Sequence, residues 1–358
     1  MINVTKTYLP DKEKYKKYVD EIYDNGWITN NGPLVQRLEN RLAKYLGVKN
    51  IVLVSSGTSA LEIAYRTLEI KDEVITTPFS FVATTSSLVS NGLTPIFVDI
   101  DEKTLNINIK KIEEKITDKT TAIVPVHIFG NACDVEGIQI IADTNDLKVV
   151  YDASHAFGVK YKEESILNYG DISTLSFHAT KLFHTIEGGA IIINDDKLVQ
   201  KARYLINFGI ENSESIPELG TNAKMNEFEA AMGLCILDEM KVIKDTREKI
   251  VALYETGIKS LLGLQKQNLY ATKNFSYFPV IFRNEEELLK VQSALNRENI
   301  YPRRYFYNSL DSLTYITPKQ FCKNSREVSK RILCLPIYTD LEKKIQVKII
   351  TIIKSVLK

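Results

Sequence analysis

Between about residue 35 and residue 240, short runs that are apolar almost throughout alternate with segments of helical periodicity. IVLVSSG (51–57) precedes TSALEIAYRTL (58–68), EVITTP (73–78) precedes FVATTSSLVSNG (81–92), and TPIFVDI (94–100) and TAIVPVHIFG (121–130) precede DVEGIQIIADTND (134–146). KVVYDA (148–153), DISTLSF (171–177) and GGAIIIN (188–194) complete the series. A strand that is hydrophobic at nearly every position has no face to offer water. Such strands need cover on both sides, and the intervening helices supply it. The expectation is an α/β fold with a mostly parallel central sheet and helices on both faces. LVQRLENRLAKYLG (34–47) predicts one covering helix, closed by Gly47.

Beyond residue 240 the pattern changes. DEMKVIKDTREKIVALYETGIKSL (238–261) predicts a long connector helix, NFSYFPVIF (274–282) a strand, and EEELLKVQSALNREN (285–299) and VKIITIIKSVL (347–357) two helices. Residues 1–240 are therefore read as a large α/β domain and 241–358 as a smaller α+β domain, a division that suits 358 residues. The mixed-charge segment KKIEEKITDKTT (110–121) reads as a solvated helix face.

Forty-six basic residues against 45 acidic ones give a formal net charge of +1, which supplies no field to attract nucleic acid or an anionic membrane. Cys133, Cys235, Cys322 and Cys334 are scattered without C-x-x-C spacing. Reduced thiols in a cytoplasm are expected rather than a disulfide frame, and no metal site is expected. The N-terminus MINVTKTYLPDKEKYKKY has no apolar h-region, and no window reaches eighteen apolar residues, so neither a secretory signal nor a membrane span is expected.

Four stretches carry candidate chemistry, and three end predicted strands, where ligand crevices open in sheets of this kind. Ser55-Ser56-Gly57-Thr58 joins a strand to a helix start. It suits an anion held by free amides, and equally a plain N-cap. Asp152 ends an apolar strand, where a carboxylate is costly unless paired. It could cap the next segment or hold a protonated ring nitrogen. Lys181 lies in STLSFHATKLFHTIEGGA (173–190), after Ser176 and His178. An isolated lysine is normally a surface residue; one that forms an imine needs burial, a lowered pKa and fixed neighbours. Gly188 and Gly189 after it would let a turn pack closely on a bound molecule. GTNAKMNE (220–227) precedes an Ala-rich helix and could simply cap it.

Taken in order, SSGTSALEIA, PFSFVAT, VHIFGNACD, YDASHAFG, SFHATKLFHTIEGGAI and GTNAKMNEFEAAMGL resemble the DegT/DnrJ/EryC1/StrS family of sugar-nucleotide aminotransferases, from about residue 26 to residue 338. The resemblance implies a fold-type I, pyridoxal 5'-phosphate-dependent enzyme with residues 1–240 holding the cofactor. It makes Lys181 the Schiff-base lysine and Asp152 the partner of the pyridine nitrogen. It gives Gly57, Thr58 and Ser176 to the cofactor phosphate, Phe81 to stacking on its ring and His155 to the ring oxygen. Asn222 would reach the phosphate of a neighbouring subunit, so a homodimer with shared sites is implied. Thr29 in WITNNGP and Arg303, Arg304 and Tyr305 in PRRYFY would meet the sugar nucleotide, with His184 toward its phosphates.

The implied reaction moves an amine from glutamate to C4 of a nucleotide-linked 4-keto-6-deoxyhexose, dTDP-4-keto-6-deoxyglucose fitting best. Alternatives are amination at C3 and a non-catalytic regulatory member of the fold. A dehydratase of the same family is disfavoured, because such members carry histidine where Lys181 stands.

Overall fold

The computed structural model describes residues 1–357. Its centre is a seven-stranded sheet of β1 (Ile51–Val54), β2 (Glu73–Thr76), β3 (Thr94–Phe97), β4 (Thr120–Val124), β5 (Lys148–Asp152), β6 (Ile172–Ser176) and β7 (Gly189–Ile193), in the order β1-β7-β6-β5-β4-β2-β3. Neighbours are parallel except for the two pairs that β7 makes. The apolar runs behave as expected, since alternate residues of each strand enter different cores. Leu53, Ile75, Ile123, Val149, Tyr151, Leu175 and Ile192 face one way. Val52, Val54, Val74, Val124, Val150, Ile172 and Ile191 face the other.

Helix α1 (Lys12–Asn25), α2 (Pro33–Leu46), α5 (Val135–Asn145) and the first half of α7 (Glu227–Ile258) cover the first face. Helices α3 (Gly57–Thr67), α4 (Val82–Ser90) and α6 (Asp196–Leu205) cover the second. The predicted leucine stripe of α2 is buried through Leu34, Leu38 and Leu42, and Gly47 closes the helix in the left-handed conformation with its N–H on the Ala43 carbonyl. At the other end of α2, the amides of Leu34 and Val35 donate to the buried Glu227 carboxylate at 2.8 and 2.9 Å, so α7 caps α2 from outside.

The division at residue 240 falls inside α7. Its residues Ala230 to Ile243 belong to the sheet core, while Ile250, Val251, Tyr254 and Ile258 belong to a separate core. That second core is completed by α8 (Glu285–Arg297), α10 (Lys343–Leu357) and a small antiparallel sheet of β8 (Gly263–Leu264), β9 (Pro279–Ile281) and β10 (Ile332–Cys334). Helix α9 (Lys323–Arg331) ties the two parts, because Asp99 of the first accepts from the amides of Asn324 and Ser325 at 2.8 and 2.9 Å. The chain start is also stapled to the far part, with Ile2 and Asn3 paired in parallel to Ile300 and Tyr301.

Three sequence expectations give way. Residues 110–121 do not form a helix but two single 3-10 turns, Ile109–Lys111 and Glu113–Lys115, before β4 begins. The spacing of Ile109, Ile112 and Ile116 imitates an amphipathic helix, yet one buried anchor, Ile112, suffices to pin a crossing between strands. The Ala-rich helix read after residue 227 and the connector helix read from 238 are one continuous helix from Glu227, whose first turn is fixed by the capping box of Asn226 and Glu229. Of 274–282, only Pro279–Ile281 is strand. Asn274 and Ser276 spend their hydrogen-bonding groups on the backbone of His155 and Phe157 instead of on a ladder.

Candidate active site

The carboxyl ends of β1, β5 and β6 and the start of the antiparallel β7 meet at one edge of the sheet. A cavity of about 320 Å³ opens there. It is lined by Gly57, Thr58, Phe81, Asp152, His155, Ser176, Lys181, Arg303 and Tyr305 among the residues singled out from the sequence, together with Thr5, Ser80, His178, Glu187, Tyr277 and Phe306.

Gly57 and Thr58 open α3, with Ser56 as N-cap accepting from the Ser59 amide at 3.0 Å. The first-turn amides and the helix dipole therefore point at the cavity, which favours an anion. A side chain at residue 57 would not fit. A Cβ there would come 2.7 Å from the Ser176 Cβ and 3.1 Å from its Cα, so the lack of one lets the end of β6 lie against the helix start. Phe81, N-cap of α4, holds a half-exposed ring over the same space.

Asp152 is buried at 5% exposure. Its Oδ2 accepts from the Thr84 hydroxyl at 2.7 Å and its Oδ1 from the Ser154 amide at 3.1 Å. The Lys181 amine stands in the same cavity. Burial lowers its pKa to about 8, against the opposing pull of the Asp152 charge, so a useful share is neutral near pH 7. The ring of His155 is buried among Phe129, Phe306 and Tyr277, with centroids 6.1, 5.9 and 4.7 Å away. Burial and the Lys181 charge push its pKa well below the usual histidine value. Its Nδ1 accepts from the Phe129 amide at 3.2 Å, which leaves the proton of the neutral ring on Nε2.

Other expectations are corrected. His184 does not reach the cavity. It is 1% exposed, its Nε2 donates to the Tyr8 carbonyl at 2.7 Å, and its Nδ1 accepts from the Ile186 amide at 3.2 Å. Both ring nitrogens are spent on backbone, so nothing remains for nucleotide phosphates. Arg304 is likewise engaged, with Nη2 on Glu285 at 2.6 Å and on the Lys330 carbonyl at 2.9 Å, and it packs on Tyr307. Its neighbour Arg303 faces the cavity, lying 4.6 Å over the Tyr305 ring.

Thr29 and the exposed Asn222 lie outside the cavity of their own chain. The Asn222 side chain accepts from Lys224 at 2.8 Å. Gly188 and Gly189 pack against protein and not into the cavity. A Cβ on Gly189 would meet the Ser56 and Leu175 carbonyls at 2.6 and 2.7 Å, and one on Gly188 would strike Thr185 and Met225.

Thr84, Glu187 and Tyr277 escaped the sequence reading as site residues. Thr84 sits in the PFSFVATT stretch, one helical turn after Ser80, where the strand-to-helix junction was the available signal. Tyr277 lay inside a run read as strand and gave none. No helix of the described residues is long and apolar enough to cross a membrane.

The site can therefore present an amine of lowered pKa, a buried acid and an anion-binding helix start to one molecule. The chain's relatives agree with that chemistry. The family model described as "DegT/DnrJ/EryC1/StrS aminotransferase family" matches residues 10–354. A dTDP-4-amino-4,6-dideoxy-D-glucose transaminase of Shigella dysenteriae is 44% identical, covering 99% of both chains, and one of Escherichia coli is 40% identical over 97% of this chain and 96% of its own. A Geobacillus stearothermophilus relative called "Pleiotropic regulatory protein" is 33% identical over 74% of this chain and 71% of its own. Among solved structures, DesI crystallised with its TDP-sugar product superimposes with a TM-score of 0.94 at 29% identity, over all of this chain and 93% of that one. The aminotransferase PseC of Helicobacter pylori does so with 0.92 at 26% identity, over 99% of both. With the six sequence blocks, the mostly parallel sheet and the lysine-aspartate cavity all in register, the chain belongs to the DegT/DnrJ/EryC1/StrS aminotransferase family.

Proposed function

We propose that the protein uses pyridoxal 5'-phosphate to transfer the amine of glutamate to C4 of a nucleotide-linked 4-keto-6-deoxyhexose, dTDP-4-keto-6-deoxyglucose being the substrate favoured. The observation that carries the proposal is one cavity holding a lysine amine of pKa about 8, a buried aspartate and a helix start. The substrate rests on the names of the relatives at 44% and 40% identity.

The residues fit the cofactor. Gly57, Thr58 and Ser176 would take its phosphate, Phe81 would lie over its ring, His155 would donate from Nε2 to the ring oxygen, and Lys181 would hold its aldehyde carbon. Once bound, the cofactor supplies a ring that withdraws electrons from the carbon losing a proton. Asp152 would keep the ring nitrogen protonated, the state in which that withdrawal is strongest. Freed when the amino donor takes its place, the Lys181 amine would serve at Nζ as the proton carrier, taking the proton from the donor carbon and delivering it two atoms along, to the former aldehyde carbon. Its lowered pKa leaves part of it neutral for the task.

Arg303, stacked on Tyr305 at the cavity wall, would pair with the negative charge of the sugar nucleotide. Thr29 and Asn222 would act across a homodimer, each completing the partner's site. The division of labour would place the cofactor on residues 1–240, with 241–358 closing the substrate side through Tyr277, Arg303 and Tyr305.

The test is turnover of dTDP-4-keto-6-deoxyglucose with glutamate, the product identified by NMR. A 4-amino sugar is expected. An amine at C3 would replace the positional reading. Retained cofactor with no turnover of any keto sugar would favour a regulatory protein.

A further inference from the structure

Behind Asp152 lies a chain of side-chain hydroxyls that the reaction itself does not use. Ser80, at 2% exposure, is 2.8 Å from Thr84, and Thr84, fully buried on α4, is 2.7 Å from Asp152 Oδ2. The direction of these bonds follows from the end point. An aspartate carboxylate only accepts, so the Thr84 proton is committed to it. Thr84 then has lone pairs to offer and no proton, so the Ser80 hydroxyl must donate to it. The other oxygen, Oδ1, is held from the backbone by the Ser154 amide at 3.1 Å.

We infer that Thr84 is a positioning residue for the cofactor. With Ser80 fixing the direction of its proton, it pins one Asp152 oxygen against α4 and thereby sets which lone pair the carboxylate turns toward the ring nitrogen. The inference rests on the proposed role of Asp152 as the partner of that nitrogen. Three features give the relay its force. Its central hydroxyl, Thr84, has no exposed surface and does not line the cavity, so its bond to Asp152 is shielded from water. It belongs to α4, a different element from β5, so it fixes the carboxylate from outside its own strand. It also begins at Ser80, a cavity-lining residue next to Phe81. The same first turn of α4 thus places both the ring-stacking aromatic and the donor that orients the acid.

Removing the donor leaves Asp152 Oδ2 buried without a partner and lets the carboxylate turn. Thr84→Val keeps the shape and loses the hydroxyl, while Thr84→Ser keeps the hydroxyl and loses a methyl. The readouts are pyridoxal phosphate affinity by absorbance titration, the pH dependence of the bound cofactor's visible band, the rate of the glutamate half-reaction, and the melting temperature of the cofactor-free protein.

Thr84→Val is expected to weaken cofactor affinity about tenfold, to move the pH midpoint of the band and to slow the half-reaction at saturating glutamate, with Thr84→Ser restoring all three to within about threefold. A purely structural role would lower the melting temperature and leave band and half-reaction unmoved in folded protein, and that result overturns the inference. If Thr84→Val does not fold, Ser80→Ala, which releases the proton direction and leaves the Thr84–Asp152 bond, must shift the band in the same sense, and an unmoved band overturns the inference there too. Asp152→Asn, run alongside, separates the two claims. An impaired Asp152→Asn beside a normal Thr84→Val sinks the Thr84 inference alone, whereas a normal Asp152→Asn sinks the reading of Asp152 itself.

Discussion

A lysine amine in this cavity should titrate far below an ordinary one, and the structure says which way each neighbour pulls. Burial lowers the Lys181 pKa to about 8, and the Asp152 charge pulls it back up. At pH 7.5 a group of that pKa is roughly one-quarter neutral, whereas an ordinary lysine near 10.4 is neutral about once in a thousand, a difference of ~200-fold in free amine. The perturbation is Asp152→Asn. It removes the pull that favours the charged amine, so the Lys181 midpoint should fall further. The assay is trace acetylation of cofactor-free protein across a pH series, with the Lys181 peptide quantified by mass spectrometry against peptides of exposed lysines. Wild-type Lys181 should label with a midpoint near 8, and the variant with a lower one. A Lys181 midpoint in the ordinary lysine range, or one that rises in Asp152→Asn, refutes the reasoning. The sign carries over to stability. A base whose folded pKa is depressed makes the folded state least stable below that pKa, and the loss is recovered as pH rises toward the unfolded value. Lys181→Met should therefore raise the melting temperature of the cofactor-free protein at pH 7 and lose that advantage between about pH 8 and pH 10.4.

Gly57→Ala should cost about 1–3 kcal/mol in urea unfolding and weaken cofactor binding, because the new methyl meets the backbone and side chain of Ser176. Arg303→Met should raise KM for the sugar nucleotide about tenfold or more with little change in melting temperature. Arg304→Met should do the reverse, since that side chain is occupied by Glu285 and Lys330, and steady-state kinetics with thermal melts read both. Two inactive variants, Lys181→Ala and Asn222→Asp, should regain activity when mixed and allowed to exchange subunits, up to half the wild-type value per heterodimer. Heterodimers proven by mass spectrometry yet inactive would rule out Asn222 acting in trans.

The parts legible in sequence were those where one residue's neighbours along the chain are also its neighbours in space. The strands Ile51–Val54 and Lys148–Asp152 announce themselves by continuous apolar residues, and the ligand edge follows from where they end. Lys181 stood out because an apolar strand runs into its segment. What stayed hidden was decided by residues far away in sequence. Arg303 and Arg304 are indistinguishable until Glu285 claims the second of them. His184 looks free until the Tyr8 carbonyl, 176 positions earlier, is seen to take its proton. Helix α1 went unread although Tyr15, Tyr18 and Ile22 recur at helical spacing, because only Ile22 is fully buried and the tyrosines are half-buried among charged residues. The helix start at Glu227 is set locally by the Asn226–Glu229 capping box, but the use of the Glu227 carboxylate as the cap of α2, 193 positions earlier, is shown by no local pattern.

The pairing of Ile2 and Asn3 with Ile300 and Tyr301 sets a clock on biosynthesis. The chain is made from its first residue onward at roughly 5–20 residues per second. The opening strand must then wait about 15–60 s for its mate to leave the ribosome. Through that interval Thr5, two positions beyond the pairing, has no fixed place, and Tyr277, Arg303 and Tyr305 do not yet exist as a wall. The β1, β5 and β6 ends, with Lys181 between them, can already be assembled. A nascent chain would thus carry an open cradle with its lysine exposed to any passing aldehyde until the wall from Tyr277 to Phe306 emerges and shuts it.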